Sequence, residues 1–213
     1  NREVCSAPVD LTLKVHPVND APTVAVAHEG LHLPYNYTQN TDAVRVLRDV
    51  TVNDVDHSSI SSATIRIVNA KNGDALTADV SGNPGVNLEF DPETGTLVLV
   101  GDASESAYAD MLSSVAYRSA AHRPRLGTRG LRVEVKDAKN MPSEDTSVLS
   151  SITVLSAPGF FEDAVTQRIE ACPPGSYQTE EHKPACIKCE AGKFGDVSVG
   201  VDKSSHCVQC PVG

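Results

Sequence analysis

Apolar and polar residues alternate along most of the first 155 positions, and this pattern limits the possible folds more than any other feature. Alternation at period two predicts strands with one buried face. Turn residues separate these segments, for example DPETG at 91–95. About seven such strands within roughly 135 residues predict an all-β sandwich. The alternating segments are 9–15, 23–27, 43–52, 63–68, 86–90, 96–100, 130–135 and 150–155.

One segment, 102–115, departs from this alternation. Its residues Tyr108, Leu112 and Val115 are spaced as on one face of a helix, and Ser104 precedes them as a candidate N-cap. We therefore expect a short helix within the β domain.

The composition excludes several classes of protein. The net charge of -10 argues against nucleic acid or an anionic membrane as a partner. Tryptophan is absent, which excludes an immunoglobulin domain of the Cys…Trp…Cys type. There is no run of 18 apolar residues, so we expect no direct membrane insertion. The chain starts without Met or a leader, which suggests a piece of a longer protein.

The sequence HEGLH at 28–32 matches the H-E-x-x-H pattern of zinc proteases, with His28 and His32 as ligands and Glu29 as the base. That motif requires a helix, because only a helix brings residues four apart onto one face. Here Gly30 lies inside the motif and Pro34 follows it, and both oppose a helix. In an extended chain the two imidazoles would be roughly 13 Å apart. We therefore expect surface residues and no enzyme.

Acidic residues lie where three predicted strands run out into turns. The residues are Asn19 and Asp20 in VNDAP, Asp54 and Asp56 in VNDVD, and Asp137 in VKDAKN. Calcium takes six to eight oxygen ligands from carboxylates, amides and backbone carbonyls. If the three turns meet at one end of the sandwich, they could supply most of such a shell. The alternative is that Asp and Asn simply favour turns.

Several segments resemble cadherin-like repeats. VHPVNDAPTV (15–24) is similar to the linker between repeats, NDVD (53–56) to their D-x-D, and VKDAKNMPSEDTS (135–147) to their D-x-x-x-x-P turn. Glu29 occupies the place of the glutamate near the start of a repeat. The segment 88–119 is similar to the longer repeats of surface adhesins.

This resemblance implies a Greek-key sandwich with calcium at the joint between repeats, bound by the five residues of the acidic turns, with a weaker contribution from Glu29. Three departures modify that expectation. Pro17 stands near the place of the first linker aspartate, most of the preceding repeat is absent, and SAPGFF (156–161) is not acidic. We therefore expect one or two ions at this joint and none at the other end.

Of the six cysteines, Cys5 is isolated, and the other five lie close together after residue 171, where glycine and proline also become frequent. Cys186-x-x-Cys189 and Cys207-x-x-Cys210 have a spacing that a zinc ribbon could use. Cys172 would then be left over. This segment has too few apolar residues for a core, so disulfides or a metal must hold it together. We expect disulfides and no zinc.

The phrases CPPGSY, CEAGKFG and CPVG repeat a Cys-x-x-Gly opening and resemble the ephrin-receptor-like cysteine-rich module of extracellular proteins. The resemblance implies the disulfides Cys172–Cys186 and Cys189–Cys207. It leaves Cys210, like the isolated Cys5, without a partner in this chain. A crossed pairing of the tumour-necrosis-factor-receptor type is the alternative.

These observations divide the chain into four parts. Residues 1–18 end a preceding repeat, 19–156 form the sandwich, 157–171 a linker, and 172–213 an incomplete cysteine-rich module. Asn36 begins a glycosylation sequon in a polar loop, as suits a secreted protein.

Two classes of function remain. The first is a structural or adhesive segment of a large extracellular or cell-surface protein, whose partners are the neighbouring domains and other surface or matrix proteins, including copies of itself. The second is the ligand-binding ectodomain of a receptor. We favour the first, because no exposed aromatic cluster or basic pocket is visible in the sequence.

Overall fold

This computed structural model describes residues 12–26, 34–143, 148–195, 202 and 206–210, and strands are the most frequent regular structure among them. One α-helix lies among those residues. The predicted class, an all-β sandwich followed by a disulfide-rich module, is confirmed. The elements are β1 (Thr23–Val26), β2 (Tyr35–Thr38), β3 (Val44–Arg45), β4 (Val50–Asn53), β5 (Ser59–Val68), β6 (Asp74–Thr77), β7 (Asn87–Asp91), β8 (Thr96–Ser104), α1 (Glu105–Ser113), β9 (Ala116–Ser119), β10 (Thr128–Asp137), β11 (Ser150–Leu155), β12 (Phe160–Asp163), β13 (Arg168–Ala171), β14 (Ser176–Tyr177), β15 (Ile187–Lys188), β16 (Lys193–Gly195) and β17 (Cys207–Gln209).

Three sheets build the sandwich. The largest has the strand order β2-β11-β10-β5-β8-β7, and smaller sheets are formed by β3-β9-β6 and by β1-β4. All pairings are antiparallel except that of β2 with β11. Alternate residues of the long strands, such as Ile65 and Ile67 in β5, are buried in one core that all three sheets share. The period-two pattern therefore reports the buried face, as expected.

Helix α1 follows β8 directly and begins where the sequence predicts. The hydroxyl of Ser104 accepts a hydrogen bond from the backbone N–H of Ala107, which caps the helix. Tyr108 and Leu112 are fully buried, and the helix packs against β4. Burial raises the pKa of Tyr108 to about 12, and its hydroxyl donates to the carbonyl of Gly101. The helix thus places its N-terminus beside the end of β4.

Some segments differ from the prediction. Residues 12–18 pair with no strand of the described chain, and Leu13 and Val15 of the predicted strand are more than four-fifths exposed. Alternation alone does not form a strand where no neighbouring strand supplies backbone partners. Asn36 lies in β2, at the edge of the large sheet, and not in a polar loop. The Tyr-Asn-Tyr-Thr sequence of β2 reads as polar, although Tyr37 is buried.

A buried ion pair joins the three-stranded sheet β3-β9-β6 to the large sheet. The guanidinium of Arg129, on β10, donates to both carboxylate oxygens of Asp74 at 3.0 and 3.3 Å. Tyr117 on β9 donates to the same carboxylate at 2.6 Å, and burial raises the pKa of its hydroxyl. Arg129 also donates to the carbonyls of Arg125 and Gly127. Because every polar group has partners, this network can be buried at an acceptable cost.

The stretch expected to be a linker, 157–171, contains a β-hairpin of β12 and β13. Phe160 and Ile169 from this hairpin are buried and belong to the core of the sandwich. The backbone N–H of Ile169 donates to Pro124 at 3.0 Å, and that of Leu126 donates to Gln167 at 3.0 Å. The hairpin is therefore part of the packed structure.

The hairpin also contacts the cysteine-rich module. The carboxylate of Glu162 accepts from the backbone N–H of Ser156 at 3.1 Å and lies 2.8 Å from Nδ1 of His182. The backbone N–H of Glu162 donates to Lys183 at 2.8 Å. On the sandwich side, Thr38 of β2 donates to Glu181 of the module at 3.1 Å. Direct hydrogen bonds between protein side chains and backbone thus connect the sandwich to the module.

Two disulfides hold the module, and they are those that the resemblance implies. Cys172 is bonded to Cys186 and Cys189 to Cys207. Two short strand pairs lie beside these bonds: β14, inside the first disulfide loop, pairs with β15 just after it, and β16, inside the second loop, pairs with β17, which begins at Cys207. Cys210 is free and exposed. Cys5 lies outside the described residues.

Candidate metal centre

The three acidic turns meet at one end of the sandwich. The side-chain amide nitrogen of Asn19 lies 2.6 Å from Oδ2 of Asp137. The backbone N–H of Asp20 donates to Oδ2 of Asp56 at 2.6 Å. The stretch before β1 is therefore held against the ends of β4 and β10.

Asp54 lies directly after β4, and its side chain has no exposed surface. Its Oδ1 accepts from the backbone N–H groups of Asp56 and His57, each at 2.8 Å. This turn, in which Asp bonds its own following backbone, fixes the carboxylate and the next three residues together. The backbone N–H of Asp54 donates to Glu105, at the first position of α1.

Asp137, at the end of β10, is also fully enclosed. Its Oδ1 accepts from the backbone N–H groups of Lys139 and Met141 at 2.8 and 2.7 Å, and Oδ2 accepts from Asn19. Burial alone would raise the pKa of Asp137. The hydrogen bonds and the nearby His57 outweigh it, and the pKa lies below its usual value. The carboxylate is therefore ionised at neutral pH.

His57 lies between these two carboxylates. Its Nδ1 is 3.6 Å from Oδ1 of Asp54 and 3.9 Å from Oδ2 of Asp137, and the side chain is 19% exposed. Both separations are too long for a hydrogen bond. The ligand atoms that these three residues offer all lie within 4.8 Å of one another.

Three polar atoms in this cluster are buried and have no hydrogen-bond partner in the described chain: Oδ1 of Asn19, Oδ2 of Asp54 and Nδ1 of His57. An unsatisfied buried polar atom costs about 1 to 3 kcal/mol, and more when the group is charged. In the described residues, no lysine or arginine forms an ion pair with Asp54, Asp137 or Glu105. The cluster therefore combines uncompensated negative charge with buried polar atoms that have no hydrogen-bond partner.

A calcium ion fits these donors, because it prefers carboxylate and amide oxygens. The side chains of Asn19, Asp54 and Asp137 would hold it, with Glu105 and Asp56 nearby. When bound, it would supply the positive charge that the two enclosed carboxylates lack.

Of the five predicted side chains, the structure brings together those of Asn19, Asp54 and Asp137. Asp20 and Asp56 are exposed, and the backbone N–H of Asp20 donates to the carboxylate of Asp56. Glu29 and the whole HEGLH segment lie outside the described residues. Sequence reasoning missed Glu105 and His57. The first could have been noticed from its place behind the N-cap Ser104 in the predicted helix, and the second from its position next to Asp56.

No helix of the described residues is both long enough and apolar enough to span a bilayer. Comparison with protein-family models and with curated proteins finds no match for this chain.

Proposed function

We propose that this chain is a non-enzymatic structural or adhesive segment of an extracellular protein, in which calcium stiffens the entry to the sandwich. One observation carries the proposal. The enclosed carboxylate of Asp54 has an unpaired Oδ2, and the unpaired Oδ1 of Asn19 belongs to a side chain that contacts Asp137. Buried oxygen atoms without hydrogen-bond partners favour a bound cation over a purely structural turn.

The position of the cluster supports a stiffening role. Residues 12–18 are exposed and unpaired in the described chain, whereas Asn19 already contacts Asp137. An ion bound by Asn19, Asp54 and Asp137 would connect the incoming chain to two strand ends at once. It would therefore restrict the orientation of a preceding domain relative to the sandwich.

The cysteine-rich module supports an extracellular location. Cys172, Cys186, Cys189 and Cys207 are all in disulfides, and such bonds persist in oxidising compartments. The partners that suit this role are the neighbouring domains of the same chain and other surface or matrix proteins, including further copies of this one. A glycan on Asn36, at the edge of the large sheet, would shield that edge strand from pairing with other chains.

Calorimetric titration of the metal-free protein with calcium tests the proposal. We expect one or two ions to bind the wild type. Asp54→Asn should weaken binding by at least about tenfold, because it removes the charge of an enclosed ligand. Asp42→Asn, at an exposed position in the loop after β2, is the matched control and should bind as the wild type does. Absence of calcium binding to the wild type at millimolar concentration would refute the proposal.

A further inference from the structure

His57 gives the cluster a nitrogen donor that calcium does not require. Calcium sites are built from oxygen ligands, whereas imidazole nitrogen suits zinc, nickel, cobalt, copper and iron. Nδ1 of this ring is buried and has no hydrogen-bond partner in the described chain. Nδ1 lies near two carboxylates without a hydrogen-bond partner, and a calcium ion bound by oxygens alone would leave it so.

The separations suit a smaller ion. Two ligands with bonds of about 2.1 Å lie roughly 3.0 to 3.4 Å apart at right or tetrahedral angles and about 4.2 Å apart when opposite. Nδ1 of His57 lies 3.6 Å from Asp54 and 3.9 Å from Asp137, which is within that range. The three ligand atoms all lie within 4.8 Å of one another, so shifts of less than about 1 Å would bring them to one ion.

The backbone of His57 is already held against Asp54. Oδ1 of Asp54 accepts from the backbone N–H of His57 at 2.8 Å, so the carboxylate and the residue that carries the ring are held together. The carboxylate of Asp137 is held in turn by Lys139 and Met141. Ligands held by such neighbouring hydrogen bonds require little ordering when the ion binds.

We propose that Asp54, His57 and Asp137, with Oδ1 of Asn19 as a fourth donor, bind a first-row divalent transition ion such as zinc or cobalt in competition with calcium. This inference rests on the proposed calcium site, since it uses the same carboxylates. It departs from the expectation of no zinc, which considered only the cysteines and the HEGLH histidines. The same joint would then respond to two kinds of ion.

Cobalt(II) and zinc chloride are the probes, added to the metal-free chain of 213 residues with its disulfides intact. We expect one cobalt ion to bind with a visible absorption spectrum altered by nitrogen ligation, and zinc to displace it. His57→Asn should weaken zinc and cobalt binding by at least about tenfold and change calcium binding by less than about threefold, because the amide keeps an oxygen donor but no imidazole.

The control is the double variant His28→Asn/His32→Asn, which should keep the wild-type affinity for zinc. Nitrogen-15 NMR of the wild type provides a readout that does not depend on the folding of any variant, because zinc should shift Nδ1 of His57. Wild-type zinc affinity in His57→Asn, or an unshifted Nδ1 at zinc saturation, would overturn the inference. If calcium still binds and depends on Asp54, only this inference fails. If neither calcium nor zinc binds the wild type, the proposed function fails as well.

Discussion

The side-chain amide nitrogen of Asn19 lies 2.6 Å from Oδ2 of Asp137, although 118 positions separate the two residues in the sequence. This contact ties the entering chain to the far end of β10. The amide is neutral and the carboxylate is charged, so this hydrogen bond leaves the negative charge of Asp137 without a counter-charge.

Chelation of calcium should loosen the entry to the sandwich. Limited proteolysis at residues 16–22 should become faster in the presence of a chelator, since Asn19 would lose the ion that we propose it shares with Asp54 and Asp137. Asp54→Ala should show the fast cleavage even with calcium present, while the strands of the sandwich remain protected. Cleavage that is indifferent to calcium would contradict a stiffening role.

The buried pair of Asp74 and Arg129 should be the most sensitive polar interaction in the sandwich. Arg129→Met leaves an enclosed carboxylate without its counter-charge, and we expect the free energy of unfolding to fall by about 3 to 5 kcal/mol. Arg123→Met is the matched control, because Arg123 pairs with Glu170 in a largely exposed position and should contribute less than about 1 kcal/mol. Urea unfolding of both variants measures the difference. Equal effects would mean that burial is not what gives the pair its importance.

Reduction of the disulfides should unfold the cysteine-rich module and leave the sandwich folded. The two bonds join residues 14 and 18 positions apart, and each should stabilise the module by about 3 kcal/mol by restricting the unfolded chain. The positions between Cys5 and Cys172 contain no cysteine. Hydrogen exchange with and without reductant should show loss of protection confined to residues after 171. Equal loss in β5 and β10 would show that the module supports the sandwich.

Acid should destabilise the metal-free protein through Asp137. Its pKa is lowered in the folded state, so this group contributes stability that is complete above its ordinary pKa of about 3.9 and is lost as the pH falls through the folded value. Denaturant titrations between about pH 2 and 5 should show stability rising with pH in the wild type. The rise should be smaller in Asp137→Asn, and identical slopes would exclude this contribution.

Local patterns predicted the strands that carry long alternating runs and the cap of helix α1. They failed where contacts with distant parts of the chain determine the local structure. The segment 43–52 reads as one strand, but Val46 and Leu47 are both buried and Asp49 has a φ of 50°, so the chain breaks into β3 and β4. Strand β2 and the hairpin of β12 and β13 owe their structure to partners elsewhere in the chain.

The candidate site was predictable in part for the same reason. Asp54 and Asp137 lie at strand ends, and strand ends can be read from the alternation. The only signal for His57 in the sequence is its position next to Asp56, because its significance comes from Asp137 on β10 in the folded chain. Glu105 likewise becomes relevant only when α1 packs against β4.

The parallel pairing of β2 with β11 determines how the domain would respond to a pulling force. Tyr35 lies opposite Ile152 and Thr38 opposite Leu155, so the chain enters at one end of this pair and leaves at the other. Tension between the two ends therefore slides the strands along each other and loads their hydrogen bonds together. An antiparallel terminal pair would open one bond at a time from its end. In a domain connected in this way, the hydrogen bonds between these two strands must break together before the chain extends. Such resistance would be useful in a segment that transmits load between its neighbours.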